Sequence, residues 1–215
     1  CVFVLGGAKI ADAFLMMETV LRNGAADEVL TGGLAGNILL AAGGEEIGQG
    51  SMDFILKSNY GEFIERAKPL LAQYGDKIRL PQDAAWLSAD GRRQEGRIGE
   101  IGRDVCLLDI GAKTAACYAE RIRAAKTVFV NGPMGVFEEL ETESGTKTVW
   151  AALADTAAYT VIGGGDSITA TEKYGVTDKI SYICTGGGAL IRFLSGEELP
   201  VVRALRHAAQ KFPAE

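Results

Sequence analysis

The chain has 215 residues, 47% hydrophobic and 23% charged, a composition that builds a buried core and excludes a disordered or fibrous polypeptide. Its net charge of −6 argues against a nucleic-acid or anionic-membrane surface, which requires clustered positive charge. One histidine, His207, excludes a His-rich metal site, and the four cysteines form no CxxC pair. Glycine is the excess: 28 residues, about 13% of the chain against an ordinary usage of roughly 7%.

The first apolar run, Val2-Phe3-Val4-Leu5, ends at Gly6-Gly7 and predicts a strand buried on both faces. Residues 9–23 follow with Ile10, Phe14, Met17 and Leu21 at helical spacing, and stop at Asn23-Gly24. The same unit recurs along the chain. Strands are predicted at 28–31 before Gly32-Gly33, at 105–110 before Gly111, and at 127–130 before Asn131-Gly132-Pro133. Two more are predicted at 159–162 before Gly163-Gly164-Gly165 and at 180–184 before Thr185-Gly186-Gly187-Gly188. Helices are expected over 34–42, 60–74, 113–125, 146–157, 166–174, 187–195 and 200–211, with Thr146 and Asp166 as N-caps.

Residues 76–104 break this rhythm. Ile78–Leu80, Ala84–Ser88 and Arg97–Ile101 are short extended pieces around an Asp90-Gly91 turn, which predicts a small antiparallel insertion at the sheet edge. The fold class expected is α/β: a parallel Rossmann-like sheet flanked by helices, with that insertion, as one domain over residues 1–215. Cys106, Cys184 and Cys1 lie in apolar runs and read as buried free thiols of a reducing, cytoplasmic compartment. There is neither a membrane-length apolar stretch nor a signal-peptide pattern, and a start at Cys1 inside a strand-like run points to a piece of a longer chain.

In an open parallel sheet, ligands bind outside the carboxyl ends of the strands, where most of the glycine clusters fall. A glycine there permits positive φ and lets a ligand approach the backbone. Where it leads into a helix, free N–H groups and the helix dipole form an anion site; Gly163–Ser167 and Thr185–Ala189 fit that description. Simple closure of βα turns is the competing explanation.

No GxGxxG or GxxxxGK[ST] occurs, which disfavours a nicotinamide oxidoreductase; Gly111–Thr114 and Gly145–Thr148 are superficially similar only. Lys9, Asn131, Glu138 and Asp166 are interleaved with the turns. A lysine for phosphate charge, a carboxylate for magnesium and a carboxylate for ribose hydroxyls would make a nucleotide site. Each also has an ordinary explanation: Lys9 as a solvated helix start, Asp166 as an N-cap, Glu138 as a surface charge.

Gly6–Lys9, Asp109–Thr114, Asn131–Glu138, Ile162–Ser167 and Thr185–Ala189, in that order, resemble the phosphoglycerate kinase family. The resemblance covers essentially the whole chain and corresponds to the family's C-terminal, nucleotide-binding domain. It implies a six-stranded parallel sheet that binds MgATP or MgADP. Carried over residue by residue, Gly7, Ala8, Gly32 and Gly33 line the adenine pocket, and Leu108 and Pro133 pack on the base. Glu138 accepts the ribose hydroxyls, while Lys9 and Asn131 contact the phosphates. Asp166 serves magnesium, and Ser167 with the amides of Gly164 and Gly165 holds phosphate. The amides of Gly187 and Gly188 face the transferred phosphoryl group, so the implied catalytic set is Lys9, Gly164, Gly165, Gly187 and Gly188.

The family moves a phosphoryl group between 1,3-bisphosphoglycerate and ADP, chemistry that needs positioning and charge stabilisation rather than a histidine base. Ala13 stands where many members carry a second lysine, as in archaeal-type members. Ala112 replaces a usual proline, and Tyr182 and Cys184 stand where His and Ser are frequent, with Tyr182 expected beneath the Gly186–Gly188 turn. The resemblance implies that the family's N-terminal domain, which binds 3-phosphoglycerate through a basic patch, lies outside these 215 residues. These residues are therefore expected to fold as a monomer and bind nucleotide, with negligible turnover alone. A stand-alone nucleotide-binding module is the alternative.

Overall fold

The computed structural model describes residues 1–212. Strand β1 (Val2–Leu5) occupies the centre because all four of its side chains are buried, alternately on two faces. Phe3 and Leu5 join one core with Phe14, Met17, Ile38 and Phe63, whereas Val2 and Val4 join a second with Tyr118, Ile122, Val149 and Trp150. A strand apolar on both sides is satisfied only between two helical layers.

Helix α1 (Ile10–Arg22) leads to β2 (Glu28–Thr31), and α2 (Gly33–Ala42), α3 (Gln49–Lys57) and α4 (Gly61–Tyr74) lead to β3 (Ile78–Arg79). Three further strands form a separate sheet: β4 (Asp83–Leu87), β5 (Arg93–Arg97) and β6 (Asp109–Ile110). The chain then returns through α5 (Ala112–Ala124), β7 (Thr127–Asn131), α6 (Ser144–Asp155), β8 (Tyr159–Gly163), α7 (Gly165–Lys173), β9 (Tyr182–Cys184), α8 (Gly187–Leu194) and α9 (Pro200–Lys211). The main sheet has six strands in the order β3-β2-β1-β7-β8-β9, every pair parallel. After β1, successive strands are laid down on one side as far as β3, and from β7 onward on the other. The strand order therefore reverses between β1 and β7.

Two expectations exchange places. Residues 105–110 do not form a strand of the parallel sheet. Only Asp109 and Ile110 are extended, and they pair antiparallel with Ala85 and Ala84 of β4. The apolar side chains that imitate a buried strand there serve an irregular segment held by Leu107 N–H to Ser51 Oγ (2.8 Å) and Leu108 N–H to Ala85 O (2.8 Å). The sixth parallel strand is instead β3, from the segment expected to belong to the insertion; Ile78 and Arg79 pair with Val29 and Leu30 of β2.

The hairpin turn at Asp90-Gly91 is present, Gly91 having φ +77°. Its second strand, however, is Arg93–Arg97 rather than Arg97–Ile101. Arg-Gln-Glu-Gly-Arg carries no apolar alternation, as suits an edge strand protected by charge. Helix α3 is also additional. Its position depends on tertiary contacts, among them Gln49 N–H to Arg103 O (2.6 Å).

Neither expected N-cap holds. Thr146 lies inside α6, whose N-cap position is Glu143, and Asp166 lies inside the first turn of α7, whose N-cap position is Gly164; neither of those residues makes a side-chain cap. All four cysteines are free but half-buried rather than enclosed. Tyr182 is exposed, and Cys184, not Tyr182, approaches the Gly186 turn. His207 is exposed on α9. Among the described residues no helix is long and apolar enough to cross a membrane.

Candidate functional site

The turns after β1 and β7 meet where the strand order reverses. Gly6 N–H donates to Asn131 O (3.0 Å) and Gly7 N–H to Pro133 O (2.7 Å). A Cβ on Gly132 would overlap the Gly6 carbonyl, and Gly132 has φ +96°, so only glycine permits this approach. A crevice at such a reversal is the usual ligand position of an open α/β sheet.

A cavity of about 230 Å³ opens there. It brings together Gly7, Ala8, Gly33, Leu108, Pro133, Glu138 and Asp166 of the residues singled out from sequence. Leu34, Leu40, Phe54, Leu107 and Met134 make its walls largely apolar, with Asn37, Ser51 and Asp109 as polar points. A smaller cavity sharing Gly7, Ala8 and Asp166 adds Lys9, Asn131, Gly164 and Ser167. The two together run from an apolar slot to an amide-rich, charged mouth.

Gly32 is not on that surface. It is buried, and a Cβ there would lie 2.7 Å from Met134 Sδ. Gly165, Gly187 and Gly188 lie at the open mouth instead. A Cβ on Gly187 would sit 3.2 Å from Gly164 Cα, so the N-termini of α7 and α8 adjoin. Phe54 and Ser51 were missed because α3 has no strong sequence signal. Met134, inside the Asn131–Glu138 motif, could have been read as part of the wall.

The helix N-termini at this edge of the sheet divide by what satisfies them. Asp83 accepts Lys113 N–H (3.0 Å) and Thr114 N–H (2.8 Å) at α5, which accounts for Gly111–Thr114 not being a phosphate loop. Asp109 Oδ2 accepts Gly145 N–H (2.6 Å) at α6, and the carbonyls of Met134 and Gly7 take the first amides of α2. At α1, α7 and α8 no side chain caps the helix, although at α1 the Ala8 carbonyl takes the first amide, that of Ile10 (3.0 Å). Orphan N–H groups and the positive dipole end make those termini the anion-seeking ones.

Lys9 stands before α1, its Nζ 3.5 Å from Asp166 Oδ2, with both side chains more than half exposed. Ala13, one turn later, is 1% exposed and belongs to the core, so the cation at this end of α1 is Lys9. Ser167 is buried and its Oγ accepts Gly132 N–H (2.7 Å), tying α7 to the β7 turn while leaving its O–H to donate. Asn131 Oδ1 occupies the space a Cβ on Gly164 (φ +88°) would fill.

Asp109 is the most perturbed acid of the cleft. Burial pushes its carboxyl up to about 6, against the opposing pull of Gly145 N–H and the Arg93 guanidinium. Its Oδ1 is buried without a hydrogen-bond partner. Burial also raises the Cys106 thiol, against a hydrogen bond from Ser51. Among the described residues no three His, Cys, Asp or Glu side chains cluster as a metal cage. One exposed carboxylate at an amide-rich mouth fits a magnesium ion that arrives with phosphate and keeps its waters, and Asp166 is that carboxylate.

Fold and site together define a parallel α/β protein with a cleft at its topological switch point, largely apolar at one end and amide-rich and charged at the other. The sequence is more specific. A family model described as phosphoglycerate kinase matches residues 1–197, and the chain belongs to that family. The phosphoglycerate kinase of Methanothermus fervidus is 44% identical over 211 residues, covering 98% of this chain and 51% of that protein. That of Thermoplasma volcanium is 42% identical, covering 97% and 51%. The crystal structure of phosphoglycerate kinase from Pyrococcus horikoshii superposes with a TM-score of 0.89 at 41% identity, covering 98% of this chain and 53% of the other. The structure from Coxiella burnetii gives 0.82 at 32% identity. The chain thus spans about half the length of the relatives it matches.

Proposed function

We propose that residues 1–215 are the single nucleotide-binding domain of a cytoplasmic, monomeric phosphoglycerate kinase. It takes MgATP or MgADP in the β1–β7 cleft for reversible phosphoryl transfer between 1,3-bisphosphoglycerate and ADP, in glycolysis and gluconeogenesis. The observation that carries this reading is the meeting of two uncapped helix N-termini, Gly187 against Gly164, beside Lys9. The base enters the apolar slot between Leu108 and Pro133, against Gly7, Ala8 and Gly33, with Gly32 supporting that wall through Met134. Glu138 accepts the ribose hydroxyls. Lys9 and Asn131 hold the phosphate chain, joined by the Gly164 and Gly165 amides and the Ser167 O–H.

The amides of Gly187 and Gly188 face the transferred group and stabilise its developing charge, a role that costs no reorganisation because the helix already fixes them. Magnesium, bound with the nucleotide, neutralises phosphate charge, and Asp166 is its protein ligand. No acid–base side chain is required, in keeping with a lone histidine exposed on α9. The 3-phosphoglycerate site belongs to the N-terminal half that the relatives' length includes.

Calorimetric titration of MgADP into the chain tests this. Binding is expected, weakened by Asp166→Ala. Because Asp166 is not a cap, that variant should lose at most the dipole interaction of about 0.3–1 kcal/mol in stability. Absence of MgADP binding would sink the reading. Turnover of ATP and 3-phosphoglycerate by the chain alone at the family's order of 1–100 per second would overturn the division of labour.

A further inference from the structure

The β4–β5 hairpin lies outside the parallel sheet, and none of the roles given above uses its charged strand. Yet Arg93 on β5 is only 19% exposed in its side chain and points inward. Its Nη1 donates to Asp109 Oδ2 (3.0 Å) and to Glu141 O (3.0 Å), and its Nη2 to Ile110 O (3.1 Å). Its Nε is held by Glu95 Oε1 (2.7 Å), whose other oxygen accepts Ala112 N–H (3.0 Å).

These contacts span the cleft's two supports. Asp109 and Ile110 continue the wall that carries Leu108. Glu141 lies in the loop between β7 and α6 that carries Glu138, and Asp109 Oδ2 also accepts Gly145 N–H at the far end of that loop. Leu108 O takes Val136 N–H (2.7 Å), closing the connection from the other side. A planar guanidinium with four carbonyl or carboxylate partners in fixed directions is a rigid cross-link, which a lysine ammonium does not reproduce.

We propose that Arg93 is a positioning residue for the nucleotide: it ties the Leu108–Ile110 wall to the loop bearing Glu138, and so sets the width of the base-and-ribose end of the cleft. It does so through Asp109 and Glu141 without touching the ligand. Among the described residues Arg93 makes no hydrogen bond or ion pair to the phosphate end at α7 and α8. This rests on the nucleotide reading of the cleft.

The test combines MgADP titration with amide hydrogen exchange on the wild-type chain, Arg93→Gln and Arg93→Lys. Arg93→Gln is expected to weaken MgADP about tenfold, the worth of a lost charge-assisted hydrogen bond, with Arg93→Lys in between. In the absence of nucleotide, exchange should rise at the Val136 and Gly145 amides and stay unchanged across 163–168. A merely structural residue would raise exchange in both places. That result, or MgADP affinity within about twofold of wild type, overturns the proposal. If Arg93→Gln does not fold, Arg93→Lys carries the same comparison. A wild-type chain that fails to bind MgADP overturns the nucleotide reading instead, and the local exchange pattern still judges the cross-link.

Discussion

The two ends of the cleft use glycine for opposite reasons. At the β1–β7 junction the space of each missing Cβ is already filled: by Pro133 O at Gly6, by the Gly6 carbonyl at Gly132, and by Met134 Sδ at 2.7 Å for Gly32. At the α7 and α8 mouth the space beside Gly164 and Gly187 is taken by Asn131 Oδ1 and Gly164 Cα, but a Cβ on Gly165 or Gly188 would meet nothing within 4 Å. The first group lets backbone pack on backbone and stiffens the slot. The second leaves amides open to whatever arrives. Glycine excess therefore divides into turn packing and ligand access, and only the second part predicts chemistry directly.

The largest effect expected from this contrast is at Gly132. Alanine there combines a left-handed φ of +96° with overlap of the Gly6 carbonyl, and should cost about 3 kcal/mol or more in unfolding free energy. Urea denaturation reads this as a lower midpoint with an unchanged slope. A loss below about 1 kcal/mol would mean that the junction relaxes easily and that the base end is not stiff.

Asp109 tests the same stiffness through charge. Its folded carboxyl, raised to about 6 from 3.8, binds its proton more tightly than the unfolded chain does. The resulting stabilisation is complete below the unfolded value and is lost as pH rises through the folded one, a change of roughly 3 kcal/mol. Asp109→Asn keeps an acceptor for Arg93 and Gly145 but carries no titrating proton. The stability of the variant relative to wild type should thus improve between pH 4 and pH 7 by about that amount. A difference that is flat with pH would show the carboxylate to be better solvated than its burial implies.

The sequence was most readable where one local signal sufficed. Apolar runs closed by glycine located β1, β2, β7, β8 and β9, and the same glycines located the mouth at Gly163–Ser167 and Gly186–Gly188. It was least readable where pairing or packing decided. Two residues, Ile78 and Arg79, are too few to announce an edge strand, whereas the six apolar-looking residues 105–110 announce one that irregular tertiary hydrogen bonding replaces. Arg93 sits in a strand with no apolar alternation, so neither its strand nor its inward direction has a sequence signal. Gly32 and Gly33 are alike in sequence, and only the position of Met134 buries the first while leaving the second at the cleft.

The smallest effect on stability should come from Gly165→Ala, which for that reason separates the two ends most cleanly. Gly165 opens α7 without a positive φ, so alanine adopts its backbone freely and removes glycine's extra unfolded-state entropy. Stability should stay level or rise by up to about 1 kcal/mol. The added methyl nevertheless enters the open space beside the amide. An anion drawn close to that N–H must then move back, and electrostatic attraction weakens with the added distance. MgADP affinity, measured by calorimetry, is expected to fall severalfold while the urea midpoint holds. A variant that binds as tightly as wild type would remove the Gly165 amide from the phosphate site and leave Lys9, Asn131, Ser167, the Gly164 amide and α8 as the groups that hold the anion.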